Sequence, residues 1–192
     1  MKDFNVRDQV ARAAVELFAE KGYANTSVQE VVERAGVTKG AMYHYYRSKD
    51  DLLFGIYERM LTLQREHLDE IVARGLSTAD TLRTACIDVV ETSIDALPEG
   101  TVFFRSVHML SPERQKEVTR RRRSYNDVFA DIIARGQTEG LYRDDIPLAV
   151  LVANFFSDVH YLSNWYSPTG AESKTRVAEQ LTDLFLKGIE AT

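Results

Sequence analysis

An all-helical fold follows from three features of the 192-residue sequence. Apolar residues recur with a period near 3.6 in nearly every segment. Glycine and proline fall where helices would close, and no convincing stretch alternates apolar and polar residues with the period of a strand. No repeat or low-complexity tract interrupts the pattern. The expectation is about nine helices, three in a small N-terminal part and the rest in a larger C-terminal part.

In the first helix Val10, Ala14, Leu17 and Phe18 share one stripe, and Gly22 after Lys21 is the stop. Thr26 or Ser27 caps a short second helix with Val28, Val31 and Val32 inward, ended by Gly36. Thr38 caps a third that runs through Tyr45. Ser48 starts a long fourth helix, with Asp50 and Asp51 in the first turn, where the helix dipole favours anions. Leu52, Leu53, Ile56, Met60, Leu63 and Ile71 form its apolar side. Thr78 is the expected cap of the next helix, which stops near Pro98. After the apolar stretch TVFFRSVHML, Ser111 and Pro112 open a helix that reaches about Gly140, with proline at its first position. Asp145 is the expected cap of an almost wholly apolar helix over 146–166. Pro168 and Gly170 then break the chain before a last helix over 171–189.

Composition narrows the function. Apolar residues make up 44% and charged residues 28%, the balance of an ordinary water-soluble domain. The N-terminus MKDFNVRDQV is polar, and no apolar run approaches the ~20 residues that span a bilayer, so neither a signal peptide nor a membrane segment is expected. Cys86 is the only cysteine, which excludes an internal disulfide and a cysteine-based zinc site. A cytoplasmic protein without metal or cofactor is the expectation. The net charge of −5 is unevenly spread: residues 1–50 hold eight Lys/Arg and seven Asp/Glu. The acidity therefore lies in the larger C-terminal part. Any contact with nucleic acid must be a local patch, because phosphates attract particular side chains and not a domain average.

The stretch GVTKGAMYHYYRSKDDLL, residues 36–53, supplies such a patch. Two short helices joined by a tight glycine turn cannot persist alone, so Val28, Val31, Val32, Ala35, Met42 and Tyr46 must pack on one another and on the first helix. This is the helix-turn-helix arrangement, whose second helix enters the major groove. Its outward side presents Thr38, Lys39, Gly40, Tyr43 and His44. Lys39 can reach guanine O6 and N7 or a phosphate, and Gly40 permits close backbone approach. The rings of Tyr43 and His44 suit thymine methyls, and their polar tips, with that of Tyr45, suit phosphates. Lys49 and the hydroxyls of Thr26 and Thr38 are placed at the DNA backbone. A phosphate-binding P-loop is excluded, since Lys39 precedes its glycine and no strand leads in. His44 has no second ligand one helical turn away, so a metal site is not expected. A packed aromatic stripe remains the rival for YHYY, and for Met42 and Tyr46 it is the reading adopted.

The segment FAEKGYANTSVQEVVERAGVTKGAMYHYYRSKDDLL resembles, without a gap over residues 8–55, the DNA-binding domain of the tetracycline-repressor (TetR) family of one-component regulators. The resemblance implies a helix-turn-helix DNA-binding domain over 1–47 and a ligand-binding and dimerisation domain over 48–192. It implies a homodimeric repressor that binds a palindromic operator and releases it when a small molecule binds. It also carries base contacts onto Lys39, Gly40, Tyr43 and His44, and backbone contacts onto Thr26, Thr38, Tyr45 and Lys49. Tyr46 stands where the family often has phenylalanine. The segment NWYSPTG…VAEQLTDLFLKGI is loosely similar to members that respond to acyl-CoA thioesters, which implies that effector class.

The last two helices are the expected dimer surface, through Leu148, Leu151, Val152, Phe155, Val159 and Leu162 with Leu181, Leu184 and Phe185. An ordinary core explains the same pattern for half of them. A second stripe, Asn154, Asp158, Tyr161 and Trp165, mixes polar and aromatic groups as an effector pocket does, and a dimer rim or solvent face is its alternative. Phe104, Arg105 and His108, with Arg122, Tyr125 and Phe129, complete the candidate ligand set. An inward Arg122 needs Asp158, an anionic ligand or a path to solvent. Two other functions compete with a ligand-responsive regulator. A small helical enzyme using His108, His160 and Asp158 fails because His160 and Asp158 face different sides of one helix. A DNA-binding regulator without effector stands if the second domain is filled by its own side chains.

Overall fold

A computed structural model describes residues 5–191. Its helices are α1 Val6–Lys21, α2 Val28–Ala35, α3 Lys39–Tyr45, α4 Lys49–Ala73, α5 Thr78–Asp95, α6 Leu97–Ser106, α7 Pro112–Thr138, α8 Leu148–Trp165 and α9 Lys174–Ile189. A 3-10 turn, Val107–Met109, follows α6. The described residues contain no strand, only an isolated antiparallel bridge between Tyr142 and Glu190. The all-helical expectation holds.

The caps explain the boundaries. Ser27 and Glu30 form a reciprocal capping box at α2, so Ser27 and not Thr26 is the cap. Gly36 ends α2 in the left-handed region at φ 67°, where a side chain would be strained, and turns the chain into α3. The Thr38 side chain accepts from the Ala41 N–H at 3.1 Å and starts α3. Four expected features shift. Ser77, one residue before Thr78, caps α5, while the Thr78 hydroxyl donates to Glu139. Asp145 does not cap α8, because both its carboxylate oxygens are taken by Arg143, and Pro147 holds the cap position. Pro98 lies in the first turn of α6 instead of merely ending α5, as its missing N–H allows there. Leu63, expected on the apolar side of α4, is exposed.

Packing divides the chain into two compact units. The first comprises the residues through Leu61 together with Pro98–Thr119; the second comprises Thr62–Leu97 and the chain from Arg120 onward. The cut thus falls inside α4 and inside α7, whereas the division expected at residue 47 lies between α3 and α4. In the first unit α1, α2 and α3 pack around Val10, Ala14, Leu17, Phe18, Val31, Val32 and Met42. Leu52, Leu53, Ile56 and Tyr57 of α4 join that core with Val102, Phe103, Leu110 and Val118. The Tyr57 hydroxyl donates to the carbonyls of Val102 (2.9 Å) and Phe103 (3.2 Å), so its one polar atom is satisfied inside the core. In the second unit α5, α8 and α9 pack on one another, with Phe129 of α7 at the centre against Phe155, Phe156 and Phe185.

Gly136 of α7 is held by Tyr142, since a Cβ there would lie 2.2 Å from the ring. We expect Gly136→Ala to lower stability by about 1–3 kcal/mol through overpacking. Gly100→Ala, with nothing within 4 Å of the added carbon, should be neutral or stabilising. Thermal denaturation of the two variants checks the contrast.

Candidate nucleic-acid interface and ligand region

Helix α3 has only seven residues and is positioned by its inner side. Met42 is fully buried, and Tyr46 just after the helix is nearly so. The backbone then leaves Lys39, Gly40, Tyr43, His44 and Tyr45 outward, with Tyr43 48% and Tyr45 41% exposed. His44 and Tyr45 meet edge to face, ring centres 4.9 Å apart, which orients both rings without covering them. Lysine, two tyrosines and a histidine on a rigid convex helix, with a glycine where a backbone can approach, form a surface suited to base edges and phosphates.

Two expected backbone contacts are engaged elsewhere. Thr26 is 2% exposed, and its hydroxyl donates to the Gly22 carbonyl at 2.9 Å. The Lys49 ammonium donates to the carbonyls of Tyr23 and Thr26, both at 2.9 Å, and sits 4.4 Å from the centre of the Tyr23 ring. Burial pulls its pKa down. Both side chains brace the turn between α1 and α2 by donating to its carbonyls.

The two stripes of α8 fall opposite to expectation. Leu151, Val152, Phe155, Val159 and Leu162 are buried in the chain's own core, as is Phe185 of α9, while Leu148 and Leu181 are half-buried. Side chains fully covered within one chain have little surface left for a dimer contact, so Leu184, 71% exposed, and the half-buried Leu148 and Leu181 keep that possibility from the expected set. Asn154, Asp158, Tyr161 and Trp165 face outward, and Val150 lies on the same side. Asp158, expected as an internal partner for Arg122, is exposed.

The remaining ligand candidates are divided between the two units. Phe104, Arg105 and His108 are exposed and belong to the first unit. Arg122, Tyr125 and Phe129 belong to the second, where the ring of Tyr125 meets Phe156 at 5.8 Å and Phe156 meets His160 at 5.9 Å. Burial lowers the pKa of Arg122. Burial and the positive charge of Arg122 push His160 down to about 4. His160 belongs with this inward polar cluster, a role that sequence reasoning misses because the residue stands out there only as a candidate base. Across the same unit His67 Nδ1 lies 3.1 Å from Asp88, whose carboxyl is raised by burial. Among the described residues no group of acidic, histidine or cysteine side chains could hold a metal ion.

A short helix held by a glycine turn with its outer face free, ahead of a larger helical unit, defines a helix-turn-helix regulator. Residues 11–56 match the family described as bacterial regulatory proteins, tetR family, and residues 75–189 match the tetracyclin repressor-like C-terminal domain. The chain belongs to the TetR family of transcriptional regulators. It is 27% identical over 186 residues to the HTH-type transcriptional repressor KstR2 of Rhodococcus jostii, covering 95% of this chain and 90% of that one. Its fold matches the ketosteroid transcriptional regulator KstR2 of Mycobacterium tuberculosis with a TM-score of 0.84 at 21% identity, over 97% of this chain and 95% of that one. A TetR/AcrR-family regulator from Thermobifida fusca is 33% identical with a TM-score of 0.74, over 95% and 97%.

Two measurements check these placements. Met42→Ala should destabilise the protein by ~2–5 kcal/mol, the cost of emptying a core position, whereas Tyr43→Ala should change stability by less than about 0.5 kcal/mol. Stability should also fall as pH drops below the ordinary histidine range. The folded pKa of His160, about 4, lies below the unfolded value, so the unfolded chain binds more protons between them. His160→Gln should remove a loss on the order of 2 kcal/mol between pH 7 and pH 5, read as the difference between wild-type and variant denaturation curves.

Proposed function

We propose that this protein is a repressor that binds a palindromic operator as a homodimer and leaves it when a small-molecule effector binds. The observation that carries the reading is the outward face of α3: Thr38, Lys39, Gly40, Tyr43, His44 and Tyr45 are exposed on a helix whose register is fixed by Met42. Lys39, Tyr43 and His44 read base edges, Gly40 admits the backbone, and Thr38 and Tyr45 hold phosphates. The repressor names of its relatives point the same way.

The dimer surface in this reading is the outer side of α8 and α9. Val150, Tyr161, Trp165 and Leu184 leave large apolar area exposed on those helices. A single helix-turn-helix binds weakly without a second half-site about 34 Å away, which gives dimerisation its function. The effector is proposed to be an acyl-CoA thioester that acts on the region of Arg122, Tyr125 and His160, where cationic and aromatic groups meet. Release follows if the effector prefers a dimer state whose recognition helices mismatch the half-site spacing. No catalytic step is required, and cytoplasmic action on DNA follows from the same reading.

The protein should retard DNA flanking its own gene in a mobility-shift assay, with log affinity falling linearly in log salt. Lys39→Ala and Tyr43→Ala should abolish specific retardation at unchanged thermal stability; an unfolded variant or undiminished binding contradicts the assignment. Leu184→Arg should yield a folded monomer by light scattering and weaken operator binding by about tenfold or more. Titration with long-chain and ring-bearing acyl-CoA esters should release the DNA where the free acids do not, and no release by any thioester removes that effector class.

A further inference from the structure

The first turn of α4 reaches in three directions within four residues. Ser48 accepts the Asp51 N–H at 3.0 Å and starts the helix. Lys49 holds the α1–α2 turn through the carbonyls of Tyr23 and Thr26. Asp50 accepts the Ser111 N–H at 3.0 Å, the Ser111 hydroxyl at 3.3 Å and Nε of Arg114 at 2.9 Å. Asp51 accepts the Arg47 N–H at 2.8 Å and Nη2 of Arg114. One guanidinium therefore joins two adjacent carboxylates at the start of α4 to the first turn of α7.

The site differs from an exposed ion pair. The side chains of Arg114, Asp50 and Asp51 keep only 27%, 29% and 23% of their surface. The guanidinium carbon also lies 4.6 Å from the centre of the Phe54 ring, so its face is packed as well as its edge. Nη1 of Arg114 is buried without a hydrogen bond, a cost accepted to keep the group in place. A planar guanidinium is shaped to serve two carboxylates with its edge while its face rests on a ring. Gln115, the next residue, donates to the carbonyls of His108 and Leu110 and closes the loop that delivers α7.

We propose that Arg114 is a positioning residue that couples α7 to the DNA-binding helices: it fixes the first turn of α7 to the first turn of α4, which Lys49 in turn fixes to the α1–α2 turn. The proposal rests on the DNA-binding reading above. Helix α7 continues from Arg114 through Arg122, Tyr125 and Phe129, so a change imposed on those residues acts on a helix whose first turn is tied to the head. Linkage is reciprocal: if opening of the first turn of α7 changes operator affinity, operator binding must change that opening by the same free energy.

Amide hydrogen exchange of the full-length protein tests this with DNA alone as the probe. A duplex is selected from a random pool with the wild-type protein, and exchange is measured with and without it. In wild type, the duplex should slow exchange in α3 and also, by about fivefold or more, at residues 113–118, as expected for ordinary coupling between sites. In Arg114→Gln the protection of α3 should persist while that at 113–118 is lost, and Asp50→Asn with Asp51→Asn should reproduce the loss. Arg114→Lys, which keeps the charge without the fork, should restore only part of it and serves as the readout if the Gln variant does not fold. Protection of α3 without any response at 113–118 in wild type, or an unchanged response in the variants, overturns the coupling role. Failure to select any duplex instead overturns the DNA-binding reading itself.

Discussion

A helix of seven residues does not persist in water, because nucleating a helix costs more than so few hydrogen bonds return. Helix α3 therefore depends on the burial of Met42, and nearly everything else in the first unit serves that burial. Val31 and Val32 of α2 and Val10, Ala14 and Phe18 of α1 share its core. Tyr46 packs so tightly on α4 that a Cβ on Gly55 would come within 2.8 Å of its ring. Because the inward residues alone hold the helix, its outward residues are released from structural work. Lys39, Tyr43 and His44 are free to be chosen for what they touch.

The same division of labour governs the start of α4. Acidic residues in a first turn stabilise a helix by opposing its dipole, and that effect alone would account for Asp50 and Asp51. Their carboxylates do more, since they also receive Ser111 and Arg114 from the start of α7. Lys49 sits beside them in sequence yet points to carbonyls of the α1–α2 turn. Adjacent residues on one helical turn face different ways, and here each direction meets a different neighbour. The turn is thus a junction as well as a cap.

Much of this is legible in the sequence. The glycine stop at Gly36, the Thr38 cap and the alternation of Met42 with Tyr43 and His44 are enough to locate α3 and its two faces. The inward roles of Thr26 and Lys49 are not legible, because a hydroxyl or ammonium near a helix end serves a protein carbonyl or a DNA phosphate equally well. Helix α8 shows a deeper limit. Periodicity resolves two stripes but cannot say which faces inward: the core of a chain and the core of a dimer are both apolar. The richer stripe, Leu151, Val152, Phe155, Val159 and Leu162, is the chain's own core. The poorer one, with Val150, Tyr161 and Trp165 between polar residues, is what remains exposed.

Charge placement bears on how an acidic chain meets a polyanion. With a net charge of −5, the protein gains no long-range attraction to DNA from its average. Many cations of the first unit are also matched internally: Lys21 with Glu30, Arg34 with Glu16 and Glu20, Arg59 with Asp8, and Arg114 with Asp50 and Asp51. Lys39 is in none of these pairs and stands on the outer face of α3. Weak non-specific attraction has a consequence for selectivity. Counterion release rewards every duplex alike, whereas contacts from tyrosine, histidine and a single placed lysine reward only a matching one. A surface that pairs off its surplus charge gives up affinity for DNA in general and keeps the part that depends on sequence.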